Sequence, residues 1–192
     1  MRKLVFDIET RNTFEEVGGR DPLLLDISIV VVYDYQDDKY YSYTQEELSK
    51  LWPLLEQIDL LIGFNSDYFD IPLLNKYYPG DLTKIASLDI LAEIRKSLGK
   101  RVSLDMIAAG TLNRGKISHG LEAVEWWKQG RIEDIRKYCE EDVHITKDVY
   151  DYARANNHLK YKIVNEIREF YLDATKWEES VKTGGLNFTL PF

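Results

Sequence analysis

Hydrophobic positions open the chain with Leu4-Val5-Phe6, after which Asp7 and Glu9 alternate with Ile8, so residues 4–10 read as a strand. Residues 11–25 hold no period and carry Asn12, Gly18, Gly19, Asp21 and Pro22, which predicts a loop. Asp26 to Tyr35 is a β-branched run and Lys39 to Tyr43 alternates, so Gln36-Asp37-Asp38 joins two strands as a hairpin. Thr44 to Gln57 opens with the capping pair Thr44 and Glu47 and places Leu48, Leu51, Leu54 and Leu55 at helical spacing. Leu60 to Phe64 is a short apolar run of the kind found in buried strands. A helix is predicted from about Tyr68 to Tyr77, stopped by Pro79-Gly80. Ile85 to Asp89 forms another strand, with Asp89 capping a helix that runs to Leu98 and ends at Gly99. Ser103 to Ala109 and Leu121 to Lys128 read as short helices, Ile132 to Ala153 as a long one, and Leu159 to Trp177 as a final helix. This succession predicts an α/β fold, one mixed β-sheet flanked by helices around a single core.

Three places break the apolar pattern with an acid. Strand side chains alternate, so Val5, Asp7 and Glu9 share one face and Leu4, Phe6 and Ile8 the other. The two carboxylates then stand roughly 6–7 Å apart at the backbone, and repel unless a cation neutralises them or one takes up a proton. They fit either an exposed edge strand facing water or half of a divalent-metal site. Asp70 shares a helix face with Leu73, Leu74 and Tyr77, where an acid is costly unless paired or metal-bound. Asp67 lies three residues earlier and reads as a helix N-cap. In the long helix, Ile135, Tyr138, Asp142, Ile145, Val149 and Tyr152 form one stripe, with the Tyr138 phenol one turn from the Asp142 carboxylate; Glu140 and Glu141 fall off it and read as solvated.

Composition narrows the classes. A chain of 192 residues, 44% hydrophobic and 30% charged, is an ordinary globular protein with no membrane-length apolar run. Met1-Arg2-Lys3 precedes an apolar run that Asp7 soon ends, so no signal peptide is expected. The single Cys139 excludes an internal disulfide and fits a reducing cytoplasm, and with only His119, His144 and His158 beside it a zinc site is not expected. The net charge of −8 argues against non-specific coating of nucleic acid. Arg95, Lys96, Lys100 and Arg101 cluster at a helix end, and Arg114 and Lys116 lie in a loop; phosphate tracking and an ordinary solvated surface both remain open. Trp126 and Trp127 diverge, one toward the core and the other toward a surface or partner. Residues 179–192 read as a tail whose Leu186, Phe188, Leu190 and Phe192 either dock on the domain or bind a protein partner.

Together the three acid-bearing stretches resemble the tyrosine-type branch of the DnaQ-like 3′–5′ exonuclease superfamily. Its first motif, Asp-x-Glu on a strand, is matched by Asp7 and Glu9. Its second, Asn-x-x-x-(Phe/Tyr)-Asp, is matched by Asn65, Phe69 and Asp70, and its third, Tyr-x-x-x-Asp, by Tyr138 and Asp142. Lys137 stands where the histidine-type branch carries its histidine. The wording around the second motif looks most like proofreading domains of family B DNA polymerases and their stand-alone relatives. The resemblance covers residues 2–153 and implies a ribonuclease H-like sheet within a domain over residues 1–178. It implies two Mg²⁺ or Mn²⁺ ions held by Asp7, Glu9, Asp70 and Asp142, with Tyr138 orienting or helping to deprotonate a water. Thr10 and Asn65 would lie near the terminal nucleotide. The substrate implied is a single-stranded nucleic acid, DNA favoured over RNA. An RNA-processing enzyme with the same site and a non-enzymatic binding or polymerase-accessory module are the rival readings.

Overall fold

A computed structural model of the chain describes residues 1–115 and 120–179. Five strands, β1 (Lys3–Thr10), β2 (Ile27–Asp34), β3 (Lys39–Thr44), β4 (Leu60–Gly63) and β5 (Ser87–Asp89), form a mixed sheet in the order β3-β2-β1-β4-β5. β1 runs antiparallel to β2 and parallel to β4. Asp7 and Glu9 therefore lie on a central strand, opposite Val31 and Ile29, which removes the edge-strand reading. Pairing with β4 stops at Val5, so the acids project beyond the carboxyl end of a parallel pair. Ligand sites of α/β sheets sit at that edge.

Both faces of the sheet are covered, which is why all eight residues of β2 are buried and its centre, Ile29 to Tyr33, is one apolar run. The Leu4–Phe6–Ile8 face packs against α1 (Trp52–Leu55) and α2 (Asp70–Asn75), through Leu55, Ile71, Leu73 and Leu74. The Val5 face packs against α3 (Ile90–Leu98), α4 (Leu104–Ile107), α5 (Gly120–Lys128) and α6 (Ile132–Asn156). The acids thus face the long helix α6. Among the described residues no helix is long and apolar enough to cross a membrane.

Several elements differ from the sequence reading. The stretch 44–57 is a 3-10 helix over Gln45–Lys50 and then the single turn α1. Pro53 lacks the N–H that a continuous α-helix would need there. The leucine spacing still works, because Leu48, Leu51 and Leu55 are all buried. After α4 the chain widens into a π turn over Ala108–Leu112.

The expected final helix is absent: residues 158–171 form a hairpin of β6 (His158–Ile163) and β7 (Glu166–Tyr171). Asn157, with φ 54°, ends α6 in the left-handed conformation. The following run is rich in aromatic and β-branched residues, and Leu159 and Tyr161 turn inward while Lys162 stays exposed. Helical spacing of the same apolar residues was misleading because the turn, Val164-Asn165, lacks a glycine; Val164 itself takes φ 53°. Gly110 permits the hairpin to dock, since a Cβ there would meet the Tyr161 backbone at 2.6 Å.

The end of the described chain is tied back to its start. Glu178 accepts from Lys3 Nζ at 2.9 Å and from the Tyr150 hydroxyl at 2.5 Å, and Trp177 stacks on Tyr150.

Candidate functional site

Asp7 and Glu9 reach the site because they alternate with Ile8 on β1, and Asp142 because it stands at the margin of the buried side of α6. Each of the three offers an oxygen within 4.8 Å of the others. Asp70, at the first turn of α2, is 3% exposed and its Oδ1 is buried without a hydrogen-bond partner. An orphaned buried carboxylate oxygen is costly, so Asp70 calls for a cation or a proton.

The electrostatics agree with that geometry. Burial, then the charges of Asp70, Asp142 and Glu9, pushes Asp7 well above the usual carboxylate range. Burial, then Asp142 and Asp70, does the same to Glu9. Burial raises Asp70 to about 8, against the pull of backbone amides, its own and that of Ile8. Asp142 is raised to about 6, mainly by burial, while a hydrogen bond from Tyr138 holds it down. Four acids that ionise only reluctantly by themselves are a donor set for hard divalent cations, which take oxygen ligands.

Tyr138 is half-buried, donates to Asp142 and meets Trp126 edge-on, with ring centroids 6.1 Å apart. Burial first, then the Asp142 and Glu9 charges, drives its phenol upward from its ordinary value. Thr10 is nearly buried and donates to the Asn12 carbonyl at 2.8 Å. It lines a pocket of about 270 Å³ beside Glu9, together with Phe14, Leu25 and Phe69. Asn65 lies apart from that pocket: it takes φ 67°, and its Oδ1 accepts from Arg101 Nη2 at 3.2 Å.

The loop from Asn65 to Asp70 is set by its neighbours. Gly63 ends β4 where a Cβ would meet the Ser66 side chain at 2.4 Å, so only glycine lets the chain fold over. Asp89 ends the adjacent β5, pairs with Gly63 in register, and caps α3 by accepting from Leu91 and Ala92. The same carboxylate accepts from Asn65 N at 2.8 Å and Asp67 N at 3.3 Å. The sequence revealed only the cap; the second task arises from strand adjacency. Asp67 is exposed and accepts from Ser87 Oγ rather than capping α2.

Cys139 was also missed. Its buried thiol lies 3.4 Å from Asp7 O and 3.5 Å from Asp7 Oδ2. The buried side of α6 runs through Ile135, Cys139, Val143 and Thr146, so Tyr138 and Asp142 stand at its margin rather than its centre. Glu140 and Glu141 are exposed, as expected. Both tryptophans are half-buried, Trp126 against Tyr138 and Trp127 beneath the Arg11 guanidinium at 4.3 Å. His144 bonds to Tyr40 and Arg114. His119, Lys116 and the tail beyond residue 179 lie outside the described residues.

Residues 4–154 match the RNase_H_2 family of the RNase_H superfamily, and the chain belongs to that family. Among solved structures it is similar to the family B DNA polymerase from the hyperthermophilic archaeon Pyrobaculum calidifontis, with a TM-score of 0.60 and 20% identity. The similarity covers 80% of this chain and 24% of the polymerase chain, so it spans about a quarter of that protein and bears on the fold. A comparison with curated proteins finds no match.

Proposed function

We propose that the chain is a metal-dependent 3′–5′ exonuclease that hydrolyses the terminal phosphodiester of single-stranded nucleic acid, DNA by preference, and releases nucleoside monophosphates. The observation that carries this reading is the convergence of Asp7, Glu9 and Asp142 within 4.8 Å, beside the orphaned Asp70 oxygen. A module that only binds nucleic acid gains nothing from four mutually repelling acids. In this reading Asp7, Glu9, Asp70 and Asp142 hold two Mg²⁺ or Mn²⁺ ions. Bound divalent ions would acidify water and neutralise charge developing at phosphorus. Tyr138 orients the attacking water; its upward-shifted phenol is a poor base. The pocket beside Glu9 and Thr10, walled by Phe14 and Phe69, takes the terminal nucleoside; Asn65, outside that pocket, meets the strand through the loop that leads to Asp70. The 3′ polarity comes from the likeness of the three motifs to DnaQ-like exonucleases. The domain is proposed to span residues 1–178, the tie of Glu178 to Lys3 closing it.

The test is cleavage of end-labelled single-stranded DNA and RNA of one sequence, with Mg²⁺, Mn²⁺ or chelator. Stepwise shortening from the 3′ end, abolished by chelator and by Asp70→Asn, is expected. Undiminished cleavage in chelator, or cleavage of a circular strand, would sink the reading.

A further inference from the structure

The chain carries a net charge of −8, so a corner that holds several cations outside any ion pair is informative. Lys100, Arg101 and Lys162 are exposed and, among the described residues, none has a carboxylate within ion-pair distance. Their neighbours Lys96, Lys160 and Arg168 are each paired, with Glu93, Glu169 and Glu166. The three flank one stretch of chain: Lys100 Nζ lies 4.7 Å over the Tyr161 ring, while Lys162, on the other face of β6, lines a groove with Ser103, two residues beyond Arg101. A groove of about 380 Å³ runs between this strand and the start of α4, with Ser103, Lys162 and Val164 on its sides and Met106 and Ala109 within it.

Two observations join the corner to the acid cluster. Arg101 reaches across to Asn65, in the loop that leads to Asp70. Asp105, which also lines the groove, lies on α4, and α4 packs against the long helix α6 that carries Asp142. The hairpin side is held firmly. The Thr111 hydroxyl donates to Lys160 O at 2.7 Å and accepts from Lys160 N at 2.9 Å, and Gly110 brings the π turn against Tyr161. The tip of the hairpin leaves Val164 84% exposed and Ile167 54% exposed.

We propose that this corner, between the α3–α4 connection and the β6–β7 hairpin, is the track for the phosphate backbone of the single strand leading into the site. Cations around the groove meet phosphates, and its apolar lining of Met106, Ala109 and Val164 accepts sugar and base faces. The inference rests on the nuclease reading above, and it adds the part of the strand remote from the cleaved bond.

The experiment is a salt titration of binding to labelled oligothymidylate in chelator, by fluorescence anisotropy, paired with cleavage of a dinucleotide and of a longer strand in Mg²⁺. The proteins are wild type, the triple variant Lys100→Gln/Arg101→Gln/Lys162→Gln, and the charge-keeping Lys100→Arg/Lys162→Arg. Each phosphate contact on a single strand contributes about 0.7 to the log–log salt slope, so the triple variant should flatten it by about 2. The arginine swaps should keep the wild-type slope. Cleavage by the triple variant should fall more for the longer strand than for the dinucleotide. A wild-type slope in the triple variant, a length-independent loss, or arginine swaps that behave like the glutamines overturns the track while wild-type cleavage still stands. Wild type that neither binds nor cleaves a single strand overturns the nuclease reading itself.

Discussion

At the scale of single residues, Tyr138 and Asp142 show how an environment assigns a role. A free tyrosine titrates near 10 and is already a weak base at neutral pH. Burial beside Asp142 and Glu9 drives the phenol further up, so Tyr138 stays protonated and acts as a hydrogen-bond donor. Tyr138→Phe should therefore keep metal binding and lose turnover. Positioned proton-transfer groups contribute about 10²–10⁴-fold, and a group that only orients water belongs at about 10². The ring that meets Trp126 is retained, so the melting temperature should change little. Single-turnover cleavage with a parallel Mn²⁺ titration measures both quantities. A rate within about threefold of wild type would reduce Tyr138 to a packing residue. A large loss of Mn²⁺ affinity would show that it shapes the carboxylates instead.

At the scale of elements, the site depends on how strand ends neighbour one another. Asp89 caps α3 and holds the amides of Asn65 and Asp67, so it fixes the approach of the loop to Asp70. Losing a cap costs about 0.5–2 kcal/mol, and the released loop amides add to that. Asp89→Ala should thus destabilise the fold by roughly 2 kcal/mol and cut activity even at temperatures where the variant is folded. Asp89→Asn keeps a carbonyl oxygen for Asn65, Leu91 and Ala92 and loses only the acceptor for Asp67 N, so it should recover most of both. Urea unfolding and cleavage on the two variants check this; full activity in Asp89→Ala would deny the loop role. The central sheet was legible because each strand carries an unbroken apolar or alternating run. The three acid-bearing stretches were legible because an acid on an apolar face is conspicuous. The second task of Asp89, the thiol of Cys139 under Asp7 and the reach of Arg101 to Asn65 were not, since each depends on which chain segments become neighbours. The β6–β7 hairpin was hidden for a local reason: a turn built on Val164 carries none of the glycine signal by which hairpins are read.

At the scale of the whole molecule, a site of reluctant acids makes stability depend on pH and on metal together. Asp70 is raised to about 8 and Asp142 to about 6, with Asp7 and Glu9 also raised. The unfolded chain releases these protons near pH 4, so above that the folded form binds more protons than the unfolded one. Stability then falls as pH rises, because its slope follows protons bound by the unfolded state minus those bound by the folded state. The contribution is fully present below about 4 and is lost as pH climbs through about 6 and about 8. Carboxylates held below their ordinary range by partners, such as Asp26 beside Tyr77 and Lys76, act in the opposite sense, but their titration is complete below this window. Between about pH 6 and about pH 8, chelated protein should therefore lose on the order of 1–3 kcal/mol in urea unfolding. Saturating Mg²⁺ or Mn²⁺ should flatten or reverse that trend, since the cation replaces the protons as the neutralising partner and binds the folded form alone. Asp70→Asn, which removes the most deeply buried of the four charges, should be more stable than wild type at the upper end of the window in chelator, with a shallower slope. Curves that coincide for wild type and Asp70→Asn across the window, or a slope unaffected by metal, would mean that the four acids do not share their charge as the structure indicates.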